Sequence, residues 1–267
     1  PISDTRRPDF TAARTIVDGA LAQGRDQLSS IESKELLDAF HIPVIQTRFA
    51  STPAEAASAA EAIGFPVVMK ISSKDLSHKS DVGGVALNLA SGEQVFTTFK
   101  AMLSNVGKLA ANAQIDGVTI ERQWQPSHAR ELLIGVINDL AFGPAITFGA
   151  GGTTVEILKD RAVALPPLNE LVIRNMIANT RVSQLLYQFR DLPPIHWPSL
   201  EDALLRISEM VCEFPEIKEL DINPLIGTPE GTMALDARVV LQAVGRDGDR
   251  YAHMAIHPYP YELVSEV

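Results

Sequence analysis

The run Phe214-Pro215-Glu216-Ile217-Lys218-Glu219-Leu220-Asp221-Ile222-Asn223-Pro224-Leu225-Ile226 decides how this chain is read. Asp221 and Asn223 alternate with Leu220 and Ile222. Side chains on a strand point to alternate faces, so the two oxygen-bearing groups share one face and the aliphatics the other. Gly227-Thr228-Pro229-Glu230-Gly231-Thr232 follows, with Pro and Gly where a chain reversal uses them. A second strand is expected over Met233-Ala234-Leu235-Asp236-Ala237-Arg238-Val239-Val240. Pairing Ile226 with Met233 sets Asn223 opposite Asp236 and Asp221 opposite Arg238. Directly opposed residues share a face, with Cβ atoms roughly 5 Å apart. The hairpin thus offers an Asp and an Asn oxygen side by side, flanked by an Asp–Arg pair. Such a set suits a hard cation such as Mg²⁺, which takes oxygen ligands and keeps waters and substrate phosphates in its shell. The same alternation also reads as a surface hairpin with its polar residues outward.

Upstream, Pro66-Val67-Val68-Met69-Lys70-Ile71 is a short apolar strand with a lysine near its end. A lysine there must snorkel to water or meet an anion. The loop after it, Ser72 to Gly84, is polar and carries Lys74, His78, Lys79 and the pair Gly83-Gly84 before a new strand at Val85-Ala86-Leu87-Asn88-Leu89. Glycines let backbone N–H groups approach phosphates, and consecutive N–H groups form anion-binding concavities. The alternative is a hairpin whose glycines only turn the chain. A third element, Gly117-Val118-Thr119-Ile120-Glu121-Arg122-Gln123-Trp124, is a strand entering a polar linker, and Arg130 to Asp139 is another strand. Glu121 and Glu131 are candidates for base or ribose contacts, and each also reads as a solvated strand-end carboxylate. No G-x-x-x-x-G-K-[ST] loop occurs; Gly19 to Arg25 is a near miss on a helical pattern. Gly149-Ala150-Gly151-Gly152-Thr153-Thr154 has Thr154 where a dinucleotide fingerprint needs its third glycine.

Taken together, these pieces resemble the ATP-grasp domain of the ADP-forming acyl-CoA synthetases, the acetate–CoA ligase (ADP-forming) family, over roughly residues 12 to 242. The matching strings are Gly64 to Lys70, His78 to Val85, Phe142-Gly143-Pro144 through Phe148 to Gly152, and Asp221 to Leu225. The resemblance implies an α+β, ATP-grasp fold, two α+β lobes with the nucleotide site between them. It implies that Lys70 holds the α/β-phosphates and that Gly83 and Gly84 lie in a loop covering them. Glu121 with the backbone of Gln123 and Trp124 would form the adenine hinge, and Glu131 would reach the ribose. Asn223 and Asp236 would bind Mg²⁺, and His78 matches a loop histidine used as a transient phosphoryl acceptor. The implied cofactors are ATP/ADP and Mg²⁺, and the implied partners are CoA-binding and CoA-ligase domains on the same or a partner chain.

Lys159 to Asn169 and the tail Ala255 to Pro260 resemble versions fused to a GNAT-type protein-lysine acetyltransferase. Two functions therefore stand open. One is the nucleotide half of an acid–CoA ligase, incomplete alone; the other is a nucleotide-sensing regulatory module of an acetyltransferase.

Composition narrows the class. The 267 residues carry a formal net charge of −10, against the basic footprint of a nucleic-acid binder. One cysteine, Cys212, forms no internal disulfide, lies on a helical apolar pattern and fits a reducing cytoplasm. No apolar run reaches membrane-spanning length and no signal peptide is read. The chain opens with Pro1 rather than Met, as a domain of a longer protein would. Capping boxes at Ser29/Glu32 and Thr52/Glu55, and Ser91 to Gln94, mark helix starts. Helices are expected over 12–23, near 169–179 and 181–189, and over Ser199 to Glu213. The expected partition is a lead-in and helix over 1–27, a lid lobe over 28–120, a core lobe with the Mg-binding hairpin over 121–242, and a linker over 243–267.

Overall fold

The computed structural model describes residues 7–73, 75–76, 79–110, 112–139, 141–152, 160–188, 190–245 and 251–256. The chain divides into two compact units. One comprises residues 29–31 and 45–126, and the other the remainder. The expected boundary at residue 120 falls inside a strand that continues to Arg122, so Glu121 belongs to the smaller unit.

The smaller unit runs β1 (Thr47–Ala50), α3 (Pro53–Ile63), β2 (Val67–Ser72), a 3-10 turn (Lys79–Val82), β3 (Val85–Leu89), α4 (Gly92–Leu109) and β4 (Gly117–Arg122). Its antiparallel sheet has the order β1-β4-β2-β3. Both helices start as their sequences require. Thr52 accepts the N–H of Glu55 at 3.2 Å while the Glu55 carboxylate accepts that of Ser51 at 2.8 Å. Ser91 accepts from Gln94 at 3.2 Å while Gln94 reaches back to Ala90 at 2.8 Å. Each pair of bonds satisfies N–H groups that a helix leaves open at its start. On α4 the buried residues are Val95, Phe99, Met102 and Val106, one face at helical spacing. They pack with Ala56, Ala60 and Ile63 of α3 against Val67, Met69, Ile71, Val118 and Ile120 of the sheet. The opposite face of this sheet therefore carries Lys70, Thr119 and Glu121.

The larger unit opens with α1 (Phe10–Ala22) and includes most of α2 (Ser30–Ala39). It continues with β5 (Arg130–Asp139), β6 (Gly143–Ala150), β7 (Arg161–Ala164), α5 (Glu170–Ala178), α6 (Ser183–Leu186), α7 (Trp197–Glu213), β8 (Ile217–Gly227), β9 (Thr232–Ala234) and β10 (Ala237–Leu241). Its antiparallel sheet has the order β10-β8-β5-β6-β7, with β9 on β8. The helix expected over 12–23 is α1, which joins this core through Ala13, Val17 and Ala20. Helix α7 starts two residues earlier than expected, at Trp197, because Pro198 is accommodated in a first turn. Its Leu200, Leu204, Ile207, Met210 and Val211 lie against Ile134, Ile146, Leu220 and Ile222 of the sheet in one cluster. Part of the expected linker is packed as well: Met254 is buried, and His253 Nε2 lies 3.0 Å from the Val211 carbonyl.

Candidate functional site

Strand β8 takes the register that its alternation demands. Ile226 faces Met233 on β9, and Asp221 faces Arg238 on β10. Leu220 and Ile222 are buried in the core, so Asp221 and Asn223 occupy the other face. The expected second strand is two pieces, with a break at Leu235 and Asp236. Pro224 is the reason. It has no N–H for the ladder, and the bond from the Leu235 N–H to its carbonyl, 3.0 Å, spans the gap. On its other side, the β5 register shifts between Leu132 and Ile134, level with the same proline. The count is unbroken across the gap, since Ala237 faces Ile222 and Ala234 faces Leu225. Asn223 and Asp236 therefore stand level with each other. The Asp236 carboxylate accepts the Ala237 N–H at 2.9 Å.

Asn223 is held by a residue that sequence reasoning gave no role. Its Oδ1 accepts the N–H of Gly152 at 2.9 Å, from 71 residues away. Gly152 has φ +76°, and a Cβ there would overlap the Glu131 carboxylate. The next N–H back, of Gly151, donates to the Glu131 carbonyl at 2.8 Å. One glycine turn thus places Glu131, exposed on β5, and Asn223 against the same two residues. No three His, Cys, Asp or Glu side chains gather into a closed metal site among the described residues. Asn223 and Asp236 as two oxygen donors fit Mg²⁺, which fills the rest of its shell with water and phosphate. They do not fit a thiolate- or imidazole-seeking metal.

Asp221 lies beside these donors. The protein packed around its carboxyl raises its pKa above the ordinary carboxylate value, although the residue as a whole is exposed. Arg161 of β7 and Arg238 pull it down, and Asp236 pushes it up.

In the smaller unit, Lys70 on β2 meets Glu121 on β4 at 2.8 Å. The side chains are 17% and 4% exposed, so this is a largely desolvated pair. The anion that the lysine strand demands is thus supplied by the protein itself. Gln123 donates its backbone N–H to the Pro66 carbonyl at 3.0 Å, and its side chain pairs with Asn88 through both amide atoms, at 2.6 and 2.7 Å. Trp124 follows, half-buried. Gly83 has φ +67°, and both glycine N–H groups donate within their own loop, to Ser80 at 3.1 Å and Lys79 at 2.7 Å. In this conformation the two glycines turn the chain, and their amides are already bonded. His78 and Lys74 lie outside the described residues.

Lys70, Gly83, Gly84, Glu121, Gln123 and Trp124 thus belong to one unit, and Glu131, Asn223 and Asp236 to the other. Cys212 on α7 is buried, and burial pushes its thiol up to about 12, as a core residue and not a nucleophile.

A family model described as an ATP-grasp domain matches residues 19–241. This chain belongs to the ATP-grasp family. Among its relatives, the acetate–CoA ligase (ADP-forming) I subunit beta of Pyrococcus furiosus is 37% identical over 229 residues, covering 86% of this chain and 97% of that subunit. The 4-hydroxybutyrate–CoA ligase (ADP-forming) of Nitrosopumilus maritimus is 38% identical over 86% of this chain, but the match spans only 33% of that protein. The ATP-grasp chain is thus similar to a whole subunit in one relative and to a third of a larger protein in another. Among solved structures, the dinucleotide-forming acetyl-coenzyme A synthetase 1 of Ca. Korarchaeum cryptofilum, in complex with coenzyme A, Ca-AMPCP and HgCl⁺, matches with a TM-score of 0.82 and 37% identity. That match covers 86% of this chain and 100% of the solved one. The ATP-grasp domain is therefore homologous to ADP-forming acyl-CoA synthetases. The acetyltransferase reading gains no support from these relatives, and Lys159 and residues 257–260, on which it partly rested, lie outside the described residues. Among the described residues no helix is long and apolar enough to cross a membrane.

Proposed function

We propose that this chain is the nucleotide-binding module of an ADP-forming acid–CoA ligase, which runs ATP + acid + CoA ⇌ ADP + phosphate + acyl-CoA together with CoA-binding and CoA-ligase domains. The observation that supports the reading is the β8–β10 hairpin, whose register sets Asn223 level with Asp236, with Asn223 oriented by the Gly152 N–H at 2.9 Å. Preorganised oxygen donors lower the cost of binding a hard cation. When bound, Mg²⁺ would neutralise charge on the transferring phosphates.

The residues of the chain divide the remaining tasks. Lys70 binds the α/β-phosphates, exchanging some of its attachment to Glu121 for phosphate oxygens. Gly83 and Gly84 lie in the loop over the phosphates. Their amides become available only if the loop gives up its bonds to Ser80 and Lys79. Glu121 and the backbone of Gln123 and Trp124 hold the adenine, and Glu131 takes the ribose hydroxyls. His78 accepts the phosphoryl group: the bond from the γ-phosphorus to the bridging oxygen breaks, ADP leaves with that electron pair, and an unprotonated ring nitrogen bonds the phosphorus. A cytoplasmic setting suits ATP as substrate and a single buried thiol.

The test is the melting temperature with and without Mg·ATP and Mg·ADP, for the wild type and for Asp236→Ala. The expected result is an upward shift in the wild type that Asp236→Ala loses. No shift in the wild type, or an equal shift in both, would overturn the assignment.

A further inference from the structure

Thr119 stands in the middle of β4, and its register partners are Lys70 on β2 and Phe49 on β1. Its neighbours Val118 and Ile120 are wholly buried in the core beneath α3 and α4. By strand alternation Thr119 and Glu121 face the other way, onto the face that carries Lys70. Thr119 is 2% exposed, yet its Oγ1 has no hydrogen-bond partner among the described residues. A hydroxyl taken out of water without a partner is a net cost to folding, and valine would fill the same volume without it. Directly opposed residues on a sheet have Cβ atoms roughly 5 Å apart, so the Thr119 side chain lies beside the stem of Lys70 on the same face.

The chemistry of this pair points to oxygen acceptors. A lysine ammonium beside a hydroxyl donor draws an anionic oxygen, and hydrogen bonds to charged acceptors are the strong ones. We infer that the Thr119 hydroxyl is a ligand-binding group, donating to a phosphoryl oxygen of the nucleotide that Lys70 holds. The inference rests on the function proposed above and adds a residue that neither the motifs nor the hairpin pointed to. On this account the unpartnered hydroxyl is a cost of the free protein that ligand binding removes.

The experiment is calorimetric titration of the purified chain with Mg·ATP, alongside melting of the ligand-free protein, for the wild type, Thr119→Val, Thr119→Ser and Asp236→Ala. Thr119→Val should bind about tenfold more weakly, the effect of one hydrogen bond to a charged group. Ligand-free, it should melt at or above the wild-type temperature. Thr119→Ser keeps the hydroxyl and should bind within about threefold of the wild type. Wild-type affinity in Thr119→Val would overturn the inference. So would a lower melting temperature for that variant without ligand, since the hydroxyl would then have a partner inside the folded chain. If the wild type binds and Asp236→Ala does not, while Thr119→Val binds normally, the inference fails alone. Absence of binding by the wild type sinks the proposed function with it.

Discussion

Lys70 and Glu121 illustrate how one ion pair serves two accounts. Their 2.8 Å contact is largely desolvated, so removing one partner strands the other charge. Lys70→Met alone should cost about 3 kcal/mol in urea unfolding, and Lys70→Met with Glu121→Leu should cost less than the two single changes added. Additive costs would mean that the pair is uncoupled. Affinity tests on Lys70 must therefore measure binding directly, because stability falls as well. Asp221 makes a pH argument. Its pKa is raised in the folded chain, chiefly by burial, so the folded state holds that proton more tightly than the unfolded state. Its stabilising contribution is complete below the unfolded value of about 3.9 and is lost as pH rises through the folded value. Asp221→Asn, in chelator to keep the neighbouring oxygens metal-free, should be more stable than the wild type at pH 7. The gap should close as pH falls below about 4. A gap that is constant with pH, or reversed at pH 7, would contradict the raised value.

At the scale of elements, the turn at Gly151–Gly152 governs what β5 and β8 can present. Gly152 occupies the left-handed region at φ +76°. Its N–H fixes Asn223, and its bare Cα leaves room for the Glu131 carboxylate. An alanine there should cost about 1–2 kcal/mol, mostly from backbone strain, because Glu131 is exposed and its far end can swing aside. Asparagine tolerates the left-handed region better, so Gly152→Asn should cost clearly less than Gly152→Ala in the same denaturant series. Equal costs would put the penalty on the contact with Glu131 instead of the backbone. The break between β9 and β10 follows a similar rule. A proline in a central strand removes one ladder bond, and the facing strand opens at Leu235 and Asp236, level with Asn223 by the count of the register.

For the whole molecule, binding and stability are linked. A ligand at 100 times its dissociation constant stabilises the folded state by roughly 2.7 kcal/mol, provided the unfolded chain does not bind it. The expected Mg·ATP shift is therefore large enough to read by melting, and its loss in Asp236→Ala carries the assignment of the hairpin. The near-complete match to a subunit in one relative, and the one-third match in another, accord with a module that works beside other domains.

Much of this architecture was legible in local pattern. The β8 register followed from the alternation Leu220-Asp221-Ile222-Asn223 and one turn, since a slip of one residue would have put Asp221 in the core. Helices α3 and α4 followed from Thr52, Pro53 and Ser91, whose side chains act within one turn of the chain. The break opposite Pro224 was missed, because alternation alone led to one strand over 233–240 and the proline matters only once β5 and β10 flank β8. Tertiary structure alone decided that the partner of Lys70 is Glu121, that the Gly152 N–H holds Asn223, and that the Thr119 hydroxyl is buried without a partner. The first two join residues far apart in the chain, the third depends on what packs over β4, and periodicity carries no information about which strands become neighbours. The sequence by itself determined which face of each strand is polar. The packing of helices against the opposite faces decided which polar groups meet, because only there does water leave and a partner become obligatory.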